Sequence, residues 1–250
     1  MARKLDYSLT WQAAKAQLAA HREGASAIAA LFLFLPDWVA RLFAGQPDME
    51  GVTTPNAWIA AFQTYYADNW LLLLPTGLLG FFGAVALYVL LTRNDLPTIG
   101  SALGKALALL PFYFIVQLAG GLATLGGLLL LIVPGLYLAG RLTPLGAVSV
   151  AETERGFAGA LSRAWELTRG NGWATLFLTF VVALVASLTA MVIGLLVGLL
   201  CRLIAGAQGV PFVETGVEAA LGAGIATLML SLSVAIYRQL AGQDAAAVRR

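Results

Sequence analysis

Charged residues are scarce in this chain of 250 amino acids. Asp, Glu, Lys and Arg make up 11% of the sequence, and hydrophobic residues make up 60%. A typical soluble domain has about 25% charged and about 45–50% apolar residues. So few charges cannot cover the surface of a water-soluble globule, and the uncharged stretches are long enough to cross a bilayer. The composition therefore predicts an integral membrane protein.

Histidine and cysteine are each present once, as His21 and Cys201. This excludes a disulfide framework and any metal site built from several Cys and His ligands. The sequence has no nucleophile–base pair, phosphate-binding loop or dinucleotide-binding glycine pattern. Its longest basic runs, Arg3-Lys4 and Arg249-Arg250, are too short for nucleic-acid binding. We therefore expect no catalytic site, no cofactor, no bound metal and no nucleic-acid partner.

Long uncharged windows alternate with charged segments along the chain. The windows are 69–92, 106–140, 170–201 and 219–237, and a shorter apolar stretch covers 24–43. A transmembrane helix needs about 20 apolar residues. The 106–140 window can hold two helices, with its glycine-rich centre at 120–127 as the turn and its second arm continuing past Arg141 towards Ser149. The sequence predicts an all-α bundle of six transmembrane helices, forming a single integral membrane domain over residues 1–250.

Two local features of the first spans are also predicted. The stretch 24–43 should break at Pro36, because proline removes a helical hydrogen bond, and Asp37 and Arg41 should form an i,i+4 ion pair. The aromatic-rich segment Ala57–Trp70 is interpreted as an interfacial helix that leads into the second span.

The distribution of basic residues predicts the orientation. With six spans, one side of the membrane carries 13 of the 15 Lys and Arg residues, and the other side carries only Arg41 and Arg202. Because Lys and Arg accumulate on the cytoplasmic side, both termini should be cytoplasmic. A multi-pass protein of a bacterial inner membrane is the corresponding prediction.

Three segments on the predicted cytoplasmic side have helical amphipathic spacing. Their apolar positions are Leu9, Ala13, Ala16 and Ala20; Leu96, Ile99, Leu103, Ala106, Leu107 and Leu110; and Phe157, Ala160, Leu161, Ala164 and Trp165. Such helices can lie in the lipid headgroup layer or cap the bundle, and the sequence is compatible with either arrangement. Each precedes two spans, which suggests a weak threefold repeat over 7–93, 96–150 and 153–240.

One part of the sequence resembles a known family. Its residues are Val133-Pro134-Gly135-Leu136-Tyr137-Leu138, then Arg141, Pro144 and Glu152, and then Ala160 to Trp173, which reads ALSRAWELTRGNGW. This pattern resembles the YciC-like bacterial inner-membrane proteins and the membrane domain found beside some glycerophosphodiester phosphodiesterases. The resemblance implies six spans in an inner membrane and supplies no catalytic or transport residue.

The candidate functional residues are mostly cations on the predicted cytoplasmic face. Contacts with lipid headgroups or anions are predicted for Lys105, Arg141, Arg155, Arg163 and Arg169. Arg141 can alternatively extend to the membrane surface or pair with Glu152 or Glu154.

Glycine and proline residues supply the other candidates. Helix packing is predicted at Gly77, Gly80, Gly83, Gly194 and Gly198, and a helix kink at Pro134 and Gly135.

These features favour a non-enzymatic membrane protein that organises lipid or the cell envelope, or that serves as a membrane-embedded scaffold. Membrane lipids are the expected partners, together with a possible protein at the cytoplasmic face. The alternative is a passive transporter or channel for an apolar or amphiphilic solute.

Overall fold

The computed structural model describes residues 4–92, 98–206 and 210–248, and within these ranges the chain is helical with no β-strand. The α-helices are α1 (Tyr7–Ala20), α2 (Arg22–Ile28), α3 (Leu35–Ala44), α4 (Pro55–Thr92), α5 (Ile99–Leu130), α6 (Ile132–Leu142), α7 (Leu145–Ala151), α8 (Gly156–Leu167), α9 (Gly172–Ala205) and α10 (Pro211–Val248). Five helical segments are long and apolar enough to cross a membrane: Arg22–Ala44, Pro55–Thr92, Ile99–Leu130, Gly172–Ala205 and Pro211–Gly242. The predicted all-helical architecture is thus confirmed for the described residues, and five of its helical segments are compatible with a multi-pass membrane protein.

The first of these segments passes Pro36 without breaking. A π-helical stretch, Ala29–Phe34, joins α2 to α3, and Pro36 lies in the first turn of α3. A proline is tolerated there because the first-turn N–H groups have no partner within the helix. The predicted break at Pro36 is therefore wrong. The predicted pair of Asp37 and Arg41 is confirmed, with Nε and Oδ2 2.8 Å apart.

Helix α4 is a single helix of 38 residues, which corresponds to about 57 Å at a rise of about 1.5 Å per residue. The segment Ala57–Trp70 is its N-terminal half and not a separate interfacial helix. Similarly, the amphipathic segment predicted over 96–110 forms the first turns of α5 from Ile99 onwards, and Leu96 lies outside the described residues.

The predicted helical hairpin exists, but its turn is at Leu131 and not in the glycine-rich stretch. The four glycines of 120–127 lie inside α5, and Leu131, the single residue between α5 and α6, has extended backbone angles. The chain turns there because Gly127 and Gly135 let the two arms approach: a Cβ on Gly135 would overlap Leu128. Pro134 lies in the first turn of α6, so the kink predicted at Pro134 and Gly135 is wrong: these residues begin a helix.

The second arm of the hairpin continues past Arg141, as expected, but as two short helices. Helices α6 and α7 are separated by Thr143 and Pro144. Neither is long enough to cross a membrane alone, which is why five long helices are found where six spans were predicted. All the residues of α7 from Leu145 to Val150 are buried.

The core surrounds α7. One cluster of buried residues contains Ala147 and Val150 together with the second half of α4, from Val85 to Leu91. The other contains Leu145 and Val148 with residues of α10, α8 and α1, namely Leu232, Ala235, Ile236, Ala160, Ala164 and Ala14. The cytoplasmic helices predicted from the sequence thus contribute to the same core as the long helices.

Polar contacts define the two ends of the bundle. The hydroxyl group of Thr10 donates a hydrogen bond to Gln239, so the beginning of α1 lies beside the last part of α10. We call this the terminal end. The opposite end, where Arg41 pairs with Glu218 at 3.2 Å, is called the far end.

Candidate functional site

Arg141 is a buried cation in the last turn of α6, with 3% of its surface exposed. Its Cζ lies 4.0 Å from the ring centroid of Trp165 and 5.7 Å from that of Tyr137. Nη1 donates to the Tyr137 hydroxyl at 3.1 Å, and Nη2 donates to the backbone carbonyl of Trp165. The side chain therefore connects α6 to α8 and is enclosed by the protein.

The positive charge of Arg141 is balanced without an acidic side chain. Among the described residues, no carboxylate lies within 4.0 Å of it, so the pair considered with Glu152 or Glu154 is not formed. The carbonyl of Trp165 belongs to the last turn of α8, where unpaired carbonyls carry partial negative charge. Two aromatic faces add cation–π attraction.

The same junction joins α6 to the start of α9 with no side chain between the backbones. A Cβ on Gly140 would overlap the carbonyl oxygen of Gly172. The Thr175 hydroxyl donates to the Gly140 carbonyl at 2.6 Å, and the Thr168 hydroxyl donates to the Arg141 carbonyl at 3.0 Å. Small residues and hydroxyl groups are what close helix contacts in membranes require.

Glu152 is the second centre of polar contacts at the terminal end. It follows α7, and 13% of its side chain is exposed. It accepts hydrogen bonds from Arg155, from Arg163 at 3.3 Å and from the Tyr237 hydroxyl at 3.0 Å. Arg163 thereby connects α8 to the end of α7 and to α10, whereas Arg155 pairs with Glu152 locally and keeps an exposed side chain.

Helix α1 packs against α10 through a partly polar face, and its predicted apolar positions stay outside the core. Leu9, Ala13, Ala16 and Ala20 are exposed. Thr10, Ala14 and Gln17 are buried: Gln17 Nε2 donates to the Ser231 hydroxyl at 2.6 Å, and Ser231 donates to the Ala14 carbonyl at 2.9 Å. Two polar side chains seven residues apart on α1, those of Thr10 and Gln17, face Gln239 and Ser231 on α10 and are the signal that sequence reasoning missed.

The amphipathic face of α8 is only partly buried. Ala160 and Ala164 enter the core, Leu161 is half-buried, and Phe157 and Trp165 stay exposed. The chain then turns towards α9 at Gly170, whose φ of 79° favours glycine.

The remaining predicted site residues fall into two groups. The cations Lys105 and Arg169 are exposed at the terminal end. Of the glycines, Gly83 packs against Phe32, which a Cβ on Gly83 would overlap, and a Cβ on Gly80 would lie 3.7 Å from the Phe32 carbonyl oxygen. No heavy atom lies within 4 Å of a Cβ built on Gly77, Gly194 or Gly198, so no packing seam of the described residues includes them.

Across residues 4–92, 98–206 and 210–248, no group of three His, Cys, Asp or Glu side chains could hold a metal ion. No family model matches the chain, and no curated protein or solved structure matches it.

Proposed function

We propose that this chain is a non-catalytic protein of a bacterial inner membrane that organises anionic lipid, or holds a partner protein, at its cytoplasmic face. The observation that carries the proposal is the arrangement at the terminal end. Helices α1 and α8 are fixed to the bundle by buried polar contacts, and Lys15, Lys105, Arg155 and Arg169 remain exposed around them. Each basic residue near an anionic surface contributes about 1 kcal/mol of attraction.

Six spans with both termini in the cytoplasm are part of this proposal. In support, α6 and α7 together lead the chain from Leu131, at the turn of the hairpin, back to Glu152 beside Tyr237 at the terminal end. The contact between Thr10 and Gln239 also brings the beginning and the end of the described chain together. With an even number of membrane crossings, both ends of the chain lie on the same side, which agrees with both contacts. The positive-inside rule then places that side in the cytoplasm.

Membership of the YciC-like family is likewise proposed. The residues that resemble this family are far apart in sequence, and several of them meet in one junction: Tyr137, Arg141, Trp165, Thr168 and Trp173. Residues of the pattern that contact one another in the fold support the family resemblance better than the same residues would if they lay at separate places.

Cysteine labelling tests the orientation. Cys201 is the chain's single cysteine and is replaced first by alanine. Asp48→Cys at the far end and Ser162→Cys on α8 are then exposed to a membrane-impermeant maleimide in spheroplasts. We expect Asp48→Cys to react in intact spheroplasts and Ser162→Cys to react only after permeabilisation. The opposite pattern, or labelling of both in intact spheroplasts, overturns the topology.

The lipids that surround the protein test the role. The chain is extracted with its native lipids in polymer nanodiscs, and the fraction of anionic lipid is compared with that of the whole membrane. We expect enrichment for the wild type and a loss of enrichment when Lys15, Lys105, Arg155 and Arg169 are all replaced by Gln. Glu50→Gln, an exposed charge on the side of the far end and outside both groups of cations, serves as the control. Equal enrichment in the fourfold variant and the wild type contradicts lipid organisation at this face.

A further inference from the structure

A groove between α9 and α10 opens sideways from the bundle. It consists of two adjoining cavities of about 480 and about 680 Å³, which share Ala190, Leu221 and Ile225 as lining residues. Along α9 the groove extends from Val181 to Arg202, a distance of about 32 Å at a rise of about 1.5 Å per residue. The hydrocarbon core of a bilayer is about 30 Å thick. The groove is therefore long enough to follow lipid tails through the apolar layer.

The α9 side of the groove is lined by small residues that are four positions apart. These are Ala186, Ala190, Gly194 and Gly198. A stripe of this kind normally lies where two helices meet. Here the space over Gly194 and Gly198 is open, since a Cβ on either would have no heavy atom within 4 Å. The missing side chains make room along an otherwise apolar wall.

The groove becomes charged at the far end, where Arg41, Arg202, Glu214 and Glu218 line it. Arg41 forms ion pairs with Asp37 (Nε to Oδ2, 2.8 Å) and with Glu218 (Nη1 to Oε2, 3.2 Å). Arg202 has no carboxylate within 4.0 Å among the residues that the structure describes, and Glu214 accepts a hydrogen bond only from the backbone N–H of Val210, at 3.4 Å. The mouth thus holds one cation and one carboxylate that lack partners of opposite charge within the described chain.

We propose that the groove binds one zwitterionic phospholipid of the surrounding bilayer. Its acyl chain lies along the stripe of small residues, its phosphate contacts Arg202, and its ammonium group contacts Glu214. Such a lipid matches the groove both in shape and in charge. A lipid that carries only negative charge would leave Glu214 without a cation, and an apolar helix would leave both Arg202 and Glu214 without partners.

This inference rests on the proposed function only for the presence of a phospholipid bilayer. It concerns the far end, whereas the proposed function concerns the terminal end, so the two can fail separately. The fourfold Gln variant changes only cations of the terminal end, so its lipid enrichment tests the proposed function alone. A substitution that fills the groove tests the phospholipid site alone.

Native mass spectrometry of the full chain tests the groove. The delipidated protein is mixed with palmitoyl-oleoyl phosphatidylethanolamine, and the fraction with one bound lipid is measured. Gly194→Leu places a side chain in the groove, and Gly77→Leu places the same side chain at an equally open position on α4. We expect the wild type and Gly77→Leu to bind one lipid and Gly194→Leu to lose it. Equal binding by the two leucine variants overturns the proposal.

Charge variants at Arg202 and Glu214, neither of which is buried, test the headgroup contacts. We expect Arg202→Gln to weaken binding of phosphatidylethanolamine by about tenfold, the effect of losing one charge-assisted hydrogen bond. Arg169→Gln is the control and should bind like the wild type. Glu214→Gln should remove a preference for phosphatidylethanolamine over phosphatidylglycerol. The proposal is wrong if the wild type shows no such preference, or if Gly194→Leu converts a lipid-free dimer into a monomer, which would assign the groove to a second copy of the chain.

Discussion

The guanidinium group of Arg141 faces the indole ring of Trp165, with 4.0 Å between Cζ and the ring centroid, and also donates to the backbone carbonyl of the same tryptophan. One residue of α8 thereby offers Arg141 both an aromatic face and a helix C-terminal carbonyl. This explains how a cation is accommodated in the protein interior without a carboxylate within salt-bridge distance among the described residues. It also sets the position of α8 on the bundle.

Arg141→Lys should release α8 although the charge is kept. An ammonium group cannot stack on the indole ring and donate in two directions as the planar guanidinium does. We expect a loss of stability of about 2 kcal/mol and faster amide hydrogen exchange over Gly156–Leu167. Arg169→Lys, an exposed cation close to the same helix, is the matched control. Unchanged exchange in α8 of Arg141→Lys would show that the cation–π contact does not hold this helix.

Glu152→Gln should destabilise the terminal end. Its carboxylate accepts from Arg155, Arg163 and Tyr237, and an amide would keep the shape but lose the negative charge. Because the side chain is largely buried, we expect a loss of about 2 kcal/mol, measured by thermal unfolding in detergent. The neighbouring exposed Glu154→Gln should stay within about 0.5 kcal/mol of the wild type. Equal losses in the two variants would exclude a special role for Glu152.

Gly83→Ala should destabilise the contact between α4 and the first span. The added methyl group would overlap Cβ of Phe32, which cannot move without its backbone. Overpacking of this kind costs about 1–3 kcal/mol. Gly77→Ala, on the same helix with no neighbour within 4 Å, should be neutral or slightly stabilising because alanine favours a helix. Unfolding of both variants under the same conditions tests the difference, and equal stability of the two would contradict the close packing at Gly83.

The cap of α1 should depend on pH. Asp6 accepts from the Leu9 N–H at 3.0 Å and from the Ser8 hydroxyl at 2.8 Å, and these bonds lower the pKa of its carboxyl group. A lowered pKa in the folded state contributes stability above the unfolded pKa, and this stability is lost as the pH falls through the folded value.

Asp6→Ala should therefore lower the unfolding temperature at neutral pH, and the difference from the wild type should shrink in acid. Asp6→Asn keeps an uncharged cap, so its own unfolding temperature should lack this contribution to the pH dependence. A difference between Asp6→Ala and the wild type that stays constant down to acid pH would refute the charged cap.

The helical class, the membrane character and the pair of Asp37 and Arg41 could be predicted because they depend on composition or on short spacing along one helix. The hairpin was predicted but not its turn. Glycine favours turns in water, whereas the glycines of 120–127 stay helical, and Gly127 and Gly135 instead allow the arms to meet at Leu131. The packed face of α1 was missed because hydrophobic spacing does not show hydrogen bonds to a helix more than 200 residues away, such as that of Gln17 to Ser231.

The amino-acid sequence alone determined that this chain is a set of apolar helices and which segments carry its cations, because hydropathy and charge are properties of each residue. Only the tertiary structure decided what those cations do. Arg141 and Arg163 bind within the protein, since a helix end and a carboxylate from other elements contact them, while Lys105, Arg155 and Arg169 remain exposed. Which partner a charge finds depends on how the helices pack, and no single segment contains that information.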